Sequence, residues 1–79
     1  MYYTYILQSL SFPKQKYVGY TSDLRRRLSE HNDGKCKSTS VYRPWKVTIY
    51  IAFEAIDKAR EFEKYLKSGS GHAFRKKHF

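Results

Sequence analysis

The chain is poor in acidic residues, in cysteine and in proline. It has one cysteine, two prolines and seven Asp and Glu against sixteen Lys and Arg, which gives a formal net charge of +9 over 79 residues. The single cysteine, Cys36, excludes an intramolecular disulfide and a cysteine-based zinc site, and this favours a reducing compartment. We interpret Cys36 as a bystander in a loop rather than as a nucleophile.

Long apolar runs are also missing. No segment approaches the roughly 20 apolar residues of a membrane-spanning helix, and the N-terminus has no charged stretch followed by an apolar one. We therefore expect a soluble, cytoplasmic protein that does not bind a membrane. A chain of 79 residues predicts one domain, residues 1–79, with a modest core.

Positive charge and tyrosine are in excess. The balance of charges predicts an anionic partner, with nucleic acid as the first expectation, although a basic surface can also serve solubility alone. The eight tyrosines exceed what a small core can satisfy, so some hydroxyls at a sheet edge or cleft are free to reach phosphate or water. A tyrosine beside a fixed cation ionises more easily, and an arginine fork matches a phosphate. The combination indicates phosphodiester chemistry.

Periodicity predicts three strands and two or three helices. The strands are predicted over 2–8, 16–20 and 46–53, and the third has Val47, Ile49, Ile51 and Phe53 on one face. Helices are predicted over 23–32, with a Ser or Thr cap before it, and over 57–67, with Ser and Gly at 68–71 ending it. A short basic helix is expected at about 72–78. The pattern over 34–44 leaves open a loop or a short irregular helix.

The predicted helix 57–67 has an acidic side chain on its apolar face. At 100° per residue, one arc contains its apolar residues Ile56, Ala59, Phe62 and Leu66. Glu63 falls within this arc, whereas Glu61 points the opposite way. A buried carboxylate costs several kcal/mol of desolvation unless a cation or a metal meets it. An ion pair with Lys or Arg is one interpretation, and the surroundings favour the other, a metal ligand.

The predicted helix 23–32 has a polar stripe. Asp23, Arg27 and His31 lie at i, i+4 and i+8, so Arg27 and His31 can face the same cleft, while Arg26 points to solvent. Each residue also has an ordinary structural interpretation. For Arg27 it is an ion pair with Asp23 or Glu30, and for His31 it is a satisfied, partly buried imidazole.

The tyrosines of the first two strands fall on defined faces. Tyr3 and Tyr5 share one face by the period of two, and Tyr17 and Gly19 share one as well, whereas Tyr20 belongs to the other face. Gly19 fits a place where backbone or ligand must come close.

Taken in order, these residues resemble the GIY-YIG endonucleases, in particular the small stand-alone bacterial members related to the N-terminal nuclease domain of the bacterial excinuclease. The segment 3–5 resembles the first motif, with Tyr5 as its tyrosine, and 17–19 resembles the second. Arg27 matches the catalytic arginine, and Glu63 matches the metal ligand of a later helix.

The sequence also departs from the family pattern. Tyr3 and Thr4 replace the glycine and isoleucine of the first motif, and His31 lies where many relatives have another tyrosine. Larger members attach a separate DNA-binding domain that these 79 residues do not include, which leaves room for a recruiting protein partner.

The resemblance implies an α/β (α+β) fold in which helices flank a central three-stranded antiparallel sheet. It implies divalent-metal-dependent hydrolysis of phosphodiester bonds in nucleic acid, with DNA as the first expectation, and a place in DNA repair. Glu63 would hold Mg²⁺ or Mn²⁺, and Arg27 would stabilise charge in the transition state. One of Tyr5, Tyr17 or His31 would take the proton from the attacking water, and Tyr5 is favoured.

Contacts to backbone phosphates are expected from basic residues outside these motifs. They are Lys35, Lys37, Arg43, Arg75, Lys76 and Lys77. The alternative is a non-catalytic module that binds nucleic acid or protein on the same scaffold, because a single carboxylate gives weak metal affinity.

Overall fold

The computed structural model describes residues 1–79 as three strands and four helices. The elements are β1 Tyr2–Ser9, β2 Lys16–Thr21, α1 Leu24–Asn32, α2 Lys37–Ser40, β3 Trp45–Phe53, α3 Ile56–Lys67 and α4 Gly69–His78. The strands form one antiparallel sheet in the order β2-β1-β3. The predicted α+β fold with a three-stranded antiparallel sheet is therefore confirmed. None of the four helices is long and apolar enough to cross a membrane.

The central strand β1 is buried on both faces. On one face Tyr5 and Leu7 pack with Trp45 and with the leucines of α1. On the other face Ile6 packs with Val18 of β2 and with Leu66 of α3. The alternation of side chains along a strand therefore divides the core into two layers, one under α1 and one under α3.

Strand β3 contains a bulge that changes the face of one residue. Ile6 pairs with Ile49, but the next residue of β1, Leu7, pairs with Val47, so Thr48 is an extra residue in the ladder. Val47 packs in the layer of Leu7, whereas Ile49 packs in the layer of Ile6. The prediction that Val47 and Ile49 share a face is wrong, because strict alternation along the sequence does not survive an inserted residue.

Helix α1 has an acidic cap. Asp23 has an extended backbone, and its carboxylate accepts a hydrogen bond of 3.0 Å from the backbone N–H of Arg26. The prediction of a Ser or Thr cap is wrong, because Thr21 is the last residue of β2 and its hydroxyl accepts from the backbone N–H of Asp23. Gly34 follows α1 with a φ of 79°, a left-handed conformation that favours glycine. Of the two alternatives for 34–44, the short helix is confirmed as α2.

Helix α3 buries the expected arc except at its start. Ala59 and Leu66 are buried, but Ile56 in the first turn is 48% exposed, so the prediction fails there. The predicted breaker segment after α3 is also helical, since α4 already begins at Gly69. Ser68 caps α4 by accepting a hydrogen bond from the backbone N–H of Gly71, and this explains how a helix begins at a run of Ser and Gly.

Replacing each of the two glycines of α4 by alanine should have a different effect on stability. A Cβ added at Gly71 would collide with the backbone carbonyl oxygen of Tyr65, whereas a Cβ at Gly69 would meet nothing within 4 Å. We expect Gly71→Ala to lower the free energy of unfolding by about 1–3 kcal/mol through overpacking. Gly69→Ala should leave it unchanged or raise it by up to about 1 kcal/mol, because alanine favours a helix. Urea unfolding of both variants is the measurement, and equal destabilisation would contradict the close packing of α4 on α3.

Candidate active site

A cleft of about 420 Å³ lies beside β2, between the start of α1 and the inner face of α3. Four of the five predicted catalytic residues line this cleft: Tyr5, Tyr17, Arg27 and Glu63. The strands supply the tyrosines, α1 supplies the arginine and α3 supplies the glutamate. Tyr5 and Glu63, which are 58 positions apart in the chain, therefore line the same cleft, although Tyr5 is only 1% exposed.

Gly19 allows the hydroxyl of Tyr5 to reach the cleft. The two residues are partners in the β1–β2 ladder, and a Cβ at position 19 would lie 2.5 Å from the Tyr5 Oη. Any larger side chain would therefore displace this hydroxyl. The expectation that Gly19 marks a close approach is confirmed by this geometry. The ring of Tyr17 stands next to Tyr5, with 6.3 Å between the ring centroids.

His31 lies behind Tyr5 and is fully buried. Its Nε2 is 3.0 Å from the Tyr5 Oη, and its Nδ1 is 2.8 Å from the Thr39 Oγ1. The imidazole does not line the cleft, so the prediction that His31 faces it together with Arg27 is wrong. The reason is depth: the imidazole packs in the core against the rings of Tyr5 and Tyr17, with centroid distances of 6.0 and 4.9 Å.

The hydrogen bonds around His31 connect it to Tyr5 and Thr39. The Thr39 Oγ1 lies 2.8 Å from Nδ1 and 3.2 Å from the carbonyl oxygen of Cys36, so its one proton can go to either acceptor. When that proton goes to Cys36, Nδ1 of His31 carries the ring proton and Nε2 accepts from the Tyr5 O–H. Burial, assisted by the positive charge of Arg27, lowers the pKa of His31 below its ordinary value. A chain of hydrogen-bond contacts runs from Tyr5 through His31 and Thr39 to Cys36.

Tyr5 is held as a neutral phenol. Burial raises the pKa of Tyr5 to about 12, although the neighbouring Arg27 acts in the opposite direction. The expectation that an arginine makes this tyrosine easier to ionise is wrong in its net direction, because desolvation outweighs the attraction of the cation. Tyr5 can therefore accept a proton only if its own proton leaves, and the acceptor in place is His31 Nε2.

Arg27 is oriented by Glu30. Its Nη1 lies 2.9 Å from the Glu30 Oε1, whereas the Nε of Arg26 lies 3.9 Å from the other oxygen of the same carboxylate. The ion pair with Arg27 lowers the pKa of Glu30 and raises that of Arg27, so both stay charged. The side chain of Arg27 is 34% exposed and that of Arg26 is 62% exposed, so Arg26 lies at the rim of the cleft. Of the two expected partners, Asp23 is occupied as the helix cap.

Glu63 is mostly enclosed. Its side chain is 14% exposed, whereas that of Glu61 is 70% exposed, as the helical wheel predicted. The Oε2 of Glu63 is 2.9 Å from the Nζ of Lys67, which also lies 5.7 Å from the centroid of the Tyr17 ring. The ion-pair interpretation of Glu63 is therefore realised through Lys67.

The donors around Glu63 suit a divalent ion only in part. No group of three or more His, Cys, Asp and Glu side chains is placed to hold a metal, and Glu63 is the one carboxylate that lines the cleft. Mg²⁺ is commonly bound through one or two carboxylates together with waters and substrate phosphates. The residues fit an ion that binds jointly with a phosphate-bearing substrate, and they do not form a complete all-protein cage.

The six basic residues expected at phosphates lie outside the cleft. Lys35, Lys37 and Arg43 are exposed around α2, where Arg43 donates a hydrogen bond of 3.3 Å to the carbonyl of Ser40. On α4, Arg75 and Lys76 line a separate groove on another part of the surface, and Lys77 is exposed beside it.

Sequence reasoning missed two residues of the site. Thr39, which contacts Nδ1 of His31, lies in the segment whose structure the pattern left open, so no local signal identified it. Lys67 does have a signal, because it follows Glu63 by four residues, the spacing of an ion pair on a helix.

Comparison with known proteins agrees with this architecture. Residues 1–77 match the GIY-YIG catalytic domain. The UPF0213 protein YsiG of Lactococcus lactis subsp. lactis (strain IL1403) is 40% identical over 67 residues, which are 84% of this chain and 62% of that protein. The UPF0213 protein YazA of Bacillus subtilis (strain 168) is 42% identical over 52 residues, 65% of this chain and 52% of that protein.

A eukaryotic protein is also similar. The structure-specific endonuclease subunit SLX1 of Candida dubliniensis is 34% identical over 85 aligned positions, which cover 98% of this chain and 28% of that protein. The chain spans less than two thirds of the length of each of these three relatives. Because the match to the catalytic domain covers nearly the whole sequence, the chain belongs to the GIY-YIG family.

Proposed function

We propose that this protein is a divalent-metal-dependent endonuclease that hydrolyses phosphodiester bonds in nucleic acid, with DNA as the first substrate to test. The observation that carries the proposal is the meeting of Tyr5, Arg27 and Glu63 in one cleft, where they supply a proton acceptor, a cation and a carboxylate. The family and the similarity to a structure-specific endonuclease subunit support it.

The proton of the attacking water goes to Tyr5 in this proposal. With the ring proton of His31 on Nδ1, the Tyr5 O–H donates to Nε2, 3.0 Å away, so the hydroxyl can receive a proton while its own proton moves to His31. His31 becomes an imidazolium, and the Nδ1–H keeps its hydrogen bond to Thr39. This transfer needs no free phenolate, which a pKa of about 12 would make scarce near neutral pH. Tyr17 positions the Tyr5 ring by packing against it.

Arg27 meets the negative charge that grows on the phosphate. Its planar guanidinium can bind two phosphate oxygens, and the ion pair with Glu30 fixes its position before substrate arrives. A donor that is already oriented requires no reorganisation in the transition state, which makes it effective in a partly enclosed cleft.

Glu63 is the residue that would hold the divalent ion. When bound, such an ion polarises a phosphate oxygen and neutralises developing charge. Lys67 lies 2.9 Å from this carboxylate and offsets the cost of enclosing its charge.

A second function, nucleic-acid binding without cleavage, is favoured by the same ion pair. Glu63 already has a cationic partner in Lys67, so its burial does not by itself require a metal. Incubation of the protein with duplex, nicked, branched and single-stranded DNA and RNA separates the two functions. Cleavage with Mg²⁺ or Mn²⁺ that EDTA abolishes supports the nuclease, whereas binding without cleavage supports the module.

The role of Glu63 is tested by Glu63→Gln, which keeps the size of the side chain and removes its charge. We expect loss of metal-dependent cleavage, while the affinity for nucleic acid measured in EDTA stays within about threefold of wild type, because few substrate contacts are removed. Glu61→Gln is the matched control on the exposed side of α3 and should cleave normally. Retained cleavage by Glu63→Gln would remove this residue from the site.

The role of Arg27 is tested against its neighbour Arg26. Arg27→Ala should reduce the single-turnover cleavage rate by about 10²-fold or more, with a small change in affinity, because a preorganised donor is lost. Arg26→Ala should mainly weaken binding, since this side chain lies at the rim. Arg27→Lys should not restore the rate, because a point charge lacks the fork. Equal rates at saturating protein for the two alanine variants would contradict the assignment.

The buried, neutral state of His31 predicts a dependence of stability on pH. The pKa of His31 in the folded chain is lower than the ordinary value of 6.5, so the unfolded chain binds the proton first as pH falls. The stabilisation is complete above about pH 6.5 and is lost below it, by up to about 1.4 kcal/mol per pH unit until the folded pKa is reached. Urea unfolding between pH 7.5 and 5 measures it.

Two variants isolate this effect. His31→Gln should remove the loss of stability below about pH 6.5 and, because the proton acceptor behind Tyr5 is gone, should also slow cleavage at pH 7.5. His78→Gln changes a histidine that is exposed at the end of α4 and should preserve both the pH dependence and the rate. A wild-type stability curve that is flat between pH 7.5 and 5, or one that His31→Gln leaves unaltered, would refute the neutral buried imidazole.

A further inference from the structure

A second concave surface of about 460 Å³ lies between α4, the β1–β2 loop and the start of β2. We call it the basic groove, and its charged and titratable members are Lys14, Lys16, His72, Arg75 and Lys76. Its floor includes Ile6, which belongs to the layer under α3 rather than to the layer of Tyr5. The groove is therefore on the opposite face of the sheet from the Tyr5–His31 pair, and it shares no lining residue with the cleft.

The positive charge of the basic groove is not neutralised within the protein. No acidic residue lines it. None of its basic residues takes part in the five ion pairs of the structure, whose cations are Arg26, Arg27, Lys58, Arg60 and Lys67. Two lysines from the loop and β2 and two cations from α4 thus face one concavity, where a low-dielectric wall focuses their potential. Such an arrangement attracts an anion.

Arg75 adds a more specific observation. Its Nη2 lies 2.9 Å from the Nδ1 of His72, which holds the guanidinium in place, but its buried Nε has no hydrogen-bond partner. A buried donor without an acceptor costs about 1–3 kcal/mol, so most such donors in proteins are paired. An oriented guanidinium with a donor to spare matches an oxygen-rich anion, and phosphate fits its planar fork.

The position of the groove favours a polymer of phosphates over a single anion. Lys16 begins β2, and Gly19 of the cleft follows three residues later, which is about 10 Å along a strand. Two sites joined by one short strand can be contacted by a single nucleic acid. β2 is an edge strand, so no other strand blocks a path from one site to the other.

From these observations we infer that the basic groove binds backbone phosphates of the same nucleic acid whose scissile bond lies in the cleft. The nucleic acid would cross the free edge of β2, with one stretch of backbone at Arg27 and another at Lys16, Arg75 and Lys76. The groove fixes the substrate without reading its sequence, since its contacts go to phosphate. The inference rests on the proposed function for the identity of the ligand, but binding can be measured without cleavage.

The test compares two double variants with the same change in charge. Lys16→Gln with Lys76→Gln alters the groove, and Lys58→Gln with Lys64→Gln alters two exposed lysines of α3. Affinity for a duplex of about 20 bp, longer than one helical turn, is measured in EDTA at salt concentrations from about 50 to 200 mM. If two phosphate contacts are lost, the slope of log K against log[salt] should become shallower by about 1.8 in the groove variant. It should stay at the wild-type value in the α3 variant.

A second readout follows Arg75 directly. In wild-type protein the NMR signal of the Arg75 Nε–H should shift on titration with the duplex, and the groove variant should show a weaker response at equal duplex concentration. Inorganic phosphate and vesicles of anionic phospholipid are titrated in parallel. A response to phosphate or vesicles with none to duplex would overturn the inference, and so would equal slopes for the two double variants.

The same proteins distinguish failure of this inference from failure of the proposed function. If wild type cleaves with Mg²⁺ but the groove variant keeps the wild-type slope, the nuclease stands and the groove assignment fails. If wild type cleaves nothing while the slope changes as expected, the groove assignment stands and the nuclease fails. Absence of any binding to the duplex by wild type would overturn the groove assignment as well.

Discussion

The hydrogen bond between Tyr5 and His31 is the interaction on which the rest of the structure depends. Both groups are buried, and each would cost about 1–3 kcal/mol if it were left unpaired. The surrounding elements are placed so that this pairing is possible. α2 lies in a position that brings Thr39 to His31, and the indole of Trp45 fixes α2 by donating to the Thr39 carbonyl at 2.8 Å. The glycine at position 19 leaves room for the other end of the pair. The core and the proposed proton path are thus the same set of contacts.

Sequence periodicity predicted the elements that depend on local repeats. The three strands, the inward position of Glu63 and the outward position of Glu61 all follow from periods of 2 and 3.6 residues. Sequence periodicity failed for two properties that a regular repeat does not encode. The bulge at Thr48 moved Val47 to the other face, and the depth of His31 depends on how closely α1 approaches the sheet. A helical wheel gives a direction around the axis, but it does not give the distance to solvent.

The charged residues behind the net charge of +9 form two sets with different surroundings. In the cleft, Arg27 is paired with Glu30, and Glu63 is paired with Lys67, so the charges are balanced and fixed in position. In the basic groove the cations have no carboxylate near them. Fixed, balanced charges suit a transition state, whose charge appears only briefly, whereas unbalanced ones suit a polyanion that releases counterions on binding. Composition alone could not separate these two sets, because both contribute the same residue types.

In the proposed nuclease, the pair Glu63–Lys67 would limit how strongly the cleft holds a metal. An ion that binds Glu63 competes with an ammonium 2.9 Å away, and it finds no second protein carboxylate in the cleft to offset that loss. Phosphate oxygens of a bound substrate supply further ligands, and they also offer Lys67 another anion to contact. The affinity for a divalent ion should therefore be higher with nucleic acid bound than without it, and by linkage the ion should raise the affinity for nucleic acid by the same factor. In the proposed nuclease, the cleft would bind metal weakly in the absence of substrate, because the protein supplies the competing cation itself.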